Sequence, residues 1–162
     1  MDAKRTSGEK DAATVRFPPP LVPLIALVLG IAVHALVWPL PLPLAGIARY
    51  GIAAVLVAVG TALIASAIRL FVRSGQDPKP WESTPAIIAT GVYRFTRNPM
   101  YLGMGALQAG IGVALANGWV VALVSVTWLV IYFIAIRHEE AYLERKFGSV
   151  YIDYKSTVRR WL

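Results

Sequence analysis

The chain has 162 residues, of which 57% are hydrophobic, and it contains no cysteine. Its mean hydropathy of +0.59 is too high for an ordinary soluble domain and predicts a single-domain, all-α integral membrane protein. The lack of thiols excludes disulfides, thiolate metal sites and a cysteine nucleophile. The net charge of +7 is interpreted as membrane topology and attraction to anionic lipid, not as nucleic-acid binding.

The first polar segment, residues 1–16, is predicted to be a disordered cytoplasmic tail. Residues 17–162 are predicted to form the membrane domain. Within this domain lie four apolar segments of roughly the 20-residue length that crosses a bilayer, and they predict four transmembrane helices. These segments cover approximately residues 21–38, 47–71, 100–116 and 119–136.

The distribution of positive charge predicts the orientation of these helices. All lysines and arginines except Arg49 fall on one side of the four-span arrangement. By the positive-inside rule that side is cytoplasmic, so both termini are expected in the cytoplasm. The brevity of the chain favours a prokaryotic plasma membrane.

The third and fourth spans are predicted to form a helical hairpin, because only a short polar turn separates them. Antiparallel helices both rise about 1.5 Å per residue, so residues equally distant from the turn lie at similar depth. Arg97 and Asn98 are therefore expected level with Arg137 and its histidine neighbour. The helix N-terminus that begins after Pro99 favours an anion at this cytoplasmic mouth.

Two adjacent carboxylates, Glu139 and Glu140, follow the fourth span. They suit the ammonium, sulfonium or ribose hydroxyls of a ligand. Cations at helix ends are commonly lipid anchors, whereas anionic headgroups repel a pair of carboxylates. The pair therefore favours a binding site for a ligand that carries both kinds of charge.

The two stretches that flank the hairpin carry a family resemblance. GVYRFTRNPMYLG precedes it and EEAYLERKFGSVYIDYKSTVRRW follows it, and this order resembles the isoprenylcysteine carboxyl methyltransferase family and its relatives, the phospholipid N-methyltransferases. The resemblance covers about residues 78–162. It implies a membrane enzyme that binds S-adenosylmethionine at the cytoplasmic end of its last helices, methylates a lipid-borne acceptor and releases S-adenosylhomocysteine.

The resemblance also implies which residues bind the cofactor. They are Tyr93, Arg97, Asn98, Pro99, Tyr101, Leu102, Gly103, His138, Glu139 and Glu140. The first motif usually reads Arg-His-Pro, and Asn98 takes the place of the histidine here. Asparagine forms hydrogen bonds but cannot titrate near neutral pH as histidine does.

Arg137 and Glu140 are the candidate catalytic residues. Methyl transfer from a sulfonium mainly requires alignment of acceptor, methyl and leaving sulfur. A carboxylate acceptor needs only a cation such as Arg137, whereas an amine acceptor must lose a proton to Glu140 or His138. Eukaryotic members of the family carry their arginine further upstream, where this chain has Ala135.

The C-terminal segment, about residues 137–160, carries apolar residues at steps of three and four. This spacing predicts an amphipathic interfacial helix, expected to cover the cofactor site. The acceptor group is left open between carboxylate, amine and thiol, and no metal site is predicted. Two other functions remain open: a nicotinamide-dependent membrane reductase of related fold, or a non-enzymatic membrane subunit.

Overall fold

The computed structural model describes residues 11–15 and 17–162, and these residues form no β-strand. The all-helical part of the prediction is therefore confirmed. The helices are α1 (Leu21–Leu36), α2 (Gly46–Arg73), a 3-10 turn (Gly91–Arg94), α3 (Pro99–Ala114) and α4 (Gly118–Ile131). A π-helical turn (Tyr132–Ile136) continues α4 into α5 (Arg137–Phe147), and α6 (Ser149–Thr157) follows.

Among the described residues, two helices are long and apolar enough to cross a membrane: Gly46–Arg73, and the continuous 30-residue helix Gly118–Phe147 that combines α4, the π turn and α5. α1 and α3 have 16 residues each. All four predicted segments begin at or next to the first residues of α1 to α4, but four membrane crossings remain a prediction. Large apolar side chains stay exposed on α1, α2 and α4, as lipid-facing helices require; they include Val28, Leu29, Ile47, Val55, Val126 and Leu129.

Two glycines, Gly60 of α2 and Gly103 of α3, set the distance between these two helices. α3 packs along α2 and α4. A Cβ atom on Gly60 would lie 2.7 Å from the carbonyl oxygen of Gly103, and a Cβ atom on Gly103 would lie 2.7 Å from the carbonyl oxygen of Gly60. The backbones of α2 and α3 therefore touch at this pair, which no larger residue would permit.

Asn117 fixes the hairpin between α3 and α4. Its side chain accepts a hydrogen bond from the Val120 amide at 3.1 Å, which caps α4, and donates one to the Gly30 carbonyl at 3.2 Å. The Gly118 amide donates to the Leu40 carbonyl at 2.7 Å. The turn is thereby tied both to α1 and to the connection that follows it, which sets the register of the hairpin.

The predicted single C-terminal helix over residues 137–160 is instead two helices. Gly148 separates α5 from α6 with φ of +53°, a conformation that residues with a side chain rarely adopt. The chain therefore turns sharply at this residue, and α6 ends at Thr157. An interfacial position for this region remains a prediction.

Most of the predicted disordered tail, residues 1–16, lies outside the described residues. The described part, residues 11–15, does not behave as a free tail. Ala13 and Val15 are buried, at 5% and 7% exposure, and they belong to the same apolar cluster as Tyr142 of α5. The chain is thus packed against its core before the first helix begins.

Candidate functional site

A cavity opens where three parts of the chain meet: the connection after α2, the start of α3, and α5 with α6. The connection contributes both apolar and polar side chains, α3 contributes Tyr101, and α5 and α6 contribute carboxylate and phenol groups. The lining includes Phe71, Gln76, Asp77, Pro78, Lys79, Pro80, Thr84, Ile87, Ile88, Tyr93, Arg97, Asn98, Pro99, Tyr101, Glu139, Tyr142, Tyr151 and Tyr154. The cavity therefore combines an apolar wall, formed by Phe71, Pro78, Pro80, Ile87 and Ile88, with polar and phenolic side chains.

The polar wall begins at the N-terminus of α3. Pro99 occupies the first turn, where its missing N–H costs no hydrogen bond. Asn98 is buried, at 7% exposure; its amide Nδ2 donates to the Arg160 carbonyl at 3.0 Å, and its backbone N–H donates to Thr96 Oγ1 at 3.2 Å. The residue that replaces the usual histidine thus holds the C-terminal segment beside α3.

Glu139 and Tyr101 join α5 to α3 across the cavity. The Tyr101 hydroxyl donates to Glu139 Oε1 at 2.5 Å. Glu139 is partly buried and lines the cavity. A cation bound in the cavity would pair with this carboxylate.

Glu140, by contrast, is bound by two arginines. The Arg160 guanidinium donates Nε to Oε1 at 2.9 Å and Nη2 to Oε2 at 2.8 Å, while Arg97 Nη2 lies 3.2 Å from Oε1. This bidentate geometry is the strongest form of a charged hydrogen bond, and the Glu140 carboxylate raises the pKa of the Arg160 guanidinium. Glu140 therefore ties the C-terminal segment to α5 and α3 rather than lining the cavity.

Tyrosines close the side of the cavity next to the 3-10 turn. The Tyr154 hydroxyl donates to the Tyr93 carbonyl at 2.8 Å, and the Tyr93 ring meets Phe71 edge-to-face with centroids 6.0 Å apart. Tyr151 is almost completely buried, at 2% exposure. Burial raises the pKa of Tyr93 well above its ordinary value. These phenol groups remain neutral, and they form a wall of the cavity that can donate and accept hydrogen bonds.

The N-terminal segment closes one edge of the cavity. Lys146 Nζ lies 2.6 Å from Asp11 Oδ2, Ser83 Oγ donates to the same oxygen at 2.7 Å, and the Tyr142 hydroxyl donates to the Asp11 carbonyl at 3.0 Å. Hydrogen bonds from Lys146 and Ser83 lower the pKa of Asp11. Ala13 then reaches the cavity itself.

The predicted site residues divide into two groups. Those that line the cavity are Tyr93, Arg97, Asn98, Pro99, Tyr101 and Glu139; those that do not are Leu102, Gly103, Arg137, His138 and Glu140. Gly103 faces α2, as described above. Arg137 is exposed, with its guanidinium 5.5 Å from the Phe133 ring, and its Nε donates to His138 Nε2 at 3.4 Å.

Several lining residues were absent from the predicted set. Tyr151 and Tyr154 lie within the second motif but were not assigned to the site. Their spacing within that motif was the sequence signal that could have identified them. Gln76 has no sequence signal of its own. Within the part of the chain that the structure describes, no group of three or more histidine or acidic side chains is placed to hold a metal ion.

Comparison with known proteins shows the family to which this chain belongs. The sequence profile of phospholipid methyltransferases matches residues 48–150, which is more than half of the chain and includes α2, α3, α4 and α5. The apolar helices and this match define a membrane methyltransferase. The chain belongs to the phospholipid methyltransferase family.

Two relatives are similar over part of the chain. A protein-S-isoprenylcysteine O-methyltransferase of Saccharomyces cerevisiae is 37% identical over 78 residues, which are 48% of this chain and 32% of the yeast protein. An uncharacterised protein of Haemophilus influenzae is 41% identical over 63 residues, 39% of this chain and the full length of that protein. No solved structure matches. The resemblance seen in the two motifs is confirmed, although the match covers only about a third of the yeast enzyme.

Proposed function

We propose that this protein is an S-adenosylmethionine-dependent methyltransferase embedded in the membrane, and that it methylates a lipid-like or hydrophobic acceptor. The observation that carries the proposal is the cavity, which brings together residues of both family motifs. Arg97, Asn98 and Tyr101 come from the first motif, and Glu139 and Tyr154 come from the second. The acceptor group is a carboxylate, an amine or a thiol.

The residues of the cavity fit this cofactor chemically. Its ammonium and sulfonium groups suit Glu139, a carboxylate that lines the cavity and forms no salt bridge with residues 11–15 and 17–162. Its carboxylate suits the N-terminus of α3 and Arg97, whose buried Nε has no hydrogen-bond partner among the described residues. Its adenine suits the apolar wall. When bound, the cofactor supplies an electrophilic methyl group.

The chain's own contribution to the reaction is alignment and desolvation. Tyr101 holds the Glu139 carboxylate in place, and the ion cluster around Glu140 holds the C-terminal segment against α3. For an amine acceptor we assign the proton-accepting role to Glu139, because it is the carboxylate of the pair that lines the cavity. A carboxylate acceptor needs no base.

The proposal also includes the way in which the helices cross the membrane. α1 to α4 each cross the bilayer, with both termini in the cytoplasm of a prokaryotic cell. The 16 residues of α1 and of α3 rise about 24 Å, somewhat less than a hydrocarbon core of about 30 Å. Local thinning of the bilayer and flanking apolar residues compensate for such a difference.

Binding and transfer are tested separately. Titration calorimetry of the detergent-purified protein should show binding of S-adenosylhomocysteine and none of NADPH. Membrane lipid extracts incubated with the protein and methyl-labelled S-adenosylmethionine should yield a labelled product, which mass spectrometry then identifies. A correctly folded protein that binds NADPH but not S-adenosylhomocysteine would refute the proposal.

A further inference from the structure

Gln76 is a buried amide whose side-chain oxygen has no hydrogen-bond partner in the part of the chain that the structure describes. The residue is 7% exposed and lines the cavity, and its Oε1 has no partner among residues 11–15 and 17–162. A buried polar atom without a partner destabilises a folded protein. Such an atom in a residue that lines a cavity points to a group that a ligand supplies.

A second buried glutamine shows what an ordinary structural role looks like in this protein. Gln108 is 2% exposed; its Nε2 donates to the Val120 carbonyl at 3.1 Å, and its Oε1 accepts from Thr127 Oγ1 at 2.8 Å. Both ends of that amide are satisfied within the helical bundle. The unpaired oxygen is therefore a property of position 76, not of buried glutamine here.

The end of α2 fixes the backbone from which Gln76 projects. Gly75 has φ of +69°; its amide donates to the Val72 carbonyl at 3.1 Å, and the Gln76 amide donates to the Phe71 carbonyl at 2.9 Å. This is the Schellman arrangement of a helix C-terminus, in which an apolar side chain usually occupies the position of Gln76 and packs on the last turn. The end of the helix therefore does not require an amide side chain at position 76.

Apolar side chains of α2 and its connection line the cavity together with Gln76: Phe71, Pro78, Ile87 and Ile88. Asp77 and Lys79 of the same connection also line the cavity and form an ion pair with each other. A flat ring with apolar faces and a polar edge fits apolar side chains that lie beside a buried amide. The edge of adenine presents an amino donor beside a ring-nitrogen acceptor, which a glutamine amide pairs in bidentate fashion.

We propose that Gln76 recognises the adenine edge of the methyl donor, with its Oε1 accepting from the 6-amino group and its Nε2 donating to a ring nitrogen. The inference rests on the proposed function and assigns a specificity residue within that site. Gln76 binds the ring and takes no part in methyl transfer. Its contribution should appear as selectivity between purine rings.

The test compares S-adenosylhomocysteine with S-inosylhomocysteine, in which an oxo group replaces the 6-amino group. The full-length wild-type protein in detergent should bind the adenine compound about ten-fold or more tightly than the inosine compound. In Gln76→Leu this ratio should fall towards one, while the melting temperature of the ligand-free protein stays unchanged or rises. Gln76→Ala serves as the second variant if the leucine variant does not fold.

Gln108→Leu is the matched control, because it removes a buried amide outside the cavity. It should lower the melting temperature and leave the ratio of the two affinities unchanged. A wild-type protein that binds neither compound refutes the proposed function. If wild type binds S-adenosylhomocysteine and the Gln76 variants keep the ratio, weaken both compounds equally or lose ligand-free stability, only the assignment of Gln76 is overturned.

Discussion

Glu139 and Glu140 are sequence neighbours with opposite surroundings. Successive residues of a helix point about 100° apart, so Glu139 reaches Tyr101 and the cavity, whereas Glu140 reaches the guanidinium groups of Arg97 and Arg160. The sequence marked both carboxylates as site residues. Only the packing of α5 separates the carboxylate that faces the cavity from the one that holds the C-terminal segment.

The ion cluster predicts a stability loss at the C-terminus. Arg160→Ala leaves Glu140 with Arg97 as its remaining cationic partner, and the expected loss is about 1–2 kcal/mol, since the partly exposed guanidinium is screened by solvent. The control is Arg159→Ala, because that side chain is exposed and its one hydrogen bond within the described part of the chain is a 3.5 Å contact with the Leu162 carbonyl. The control should stay within about 0.5 kcal/mol of wild type. Denaturant unfolding in detergent measures both, and equal losses would argue against the cluster.

At the scale of elements, two interruptions of the helical pattern decide the shape of the site. The π turn at Tyr132–Ile136 adds a residue to one turn and so rotates α5 relative to a regular continuation of α4. Equal spacing from the hairpin turn predicted that Arg97 lies level with Arg137, which stays a prediction; the side chain with which Arg97 forms an ion pair is that of Glu140. Gly148 then ends α5 and lets α6 return beside Tyr93 and Arg97.

The contact between α2 and α3 predicts a second effect at this scale. Gly103→Ala places a Cβ atom 2.7 Å from the Gly60 carbonyl oxygen, which forces the helices apart. We expect a loss of about 1–3 kcal/mol, together with weaker binding of S-adenosylhomocysteine, because α3 carries Tyr101. Melting temperature and calorimetric titration measure the two effects.

A glycine elsewhere on α2 provides the control for this substitution. A Cβ atom on Gly51 meets nothing within 4 Å. Gly51→Ala should therefore leave binding unchanged and stabilise α2 by up to about 1 kcal/mol through helix propensity. If Gly51→Ala and Gly103→Ala change stability and binding in the same way, the close approach of α2 and α3 does not explain the effect of Gly103→Ala.

At the scale of the whole molecule, the proposed four-span topology places the cavity at the cytoplasmic face. Because the natural chain has no cysteine, an introduced cysteine is its one thiol. Labelling of that thiol therefore shows on which side of the membrane the residue lies. Ser156→Cys follows the site, and Ala45→Cys lies in the connection between α1 and α2; both positions are exposed. In intact cells, a membrane-impermeant maleimide should label Ala45→Cys and spare Ser156→Cys. Labelling of both positions, or of Ser156→Cys alone, would contradict the topology.

The sequence by itself determined the helical class, the starts of α1 to α4 and the family, because hydrophobic length and local motifs are properties of contiguous residues. It also placed Tyr93, Arg97, Asn98, Pro99, Tyr101 and Glu139 in the region that lines the cavity. Only the tertiary structure decided that Glu140 is bound by arginines, that Gly148 divides the C-terminal helix and that the buried Gln76 oxygen has no partner among the described residues. These features depend on contacts between segments far apart in the chain and on the direction of each side chain, neither of which periodicity or a motif specifies.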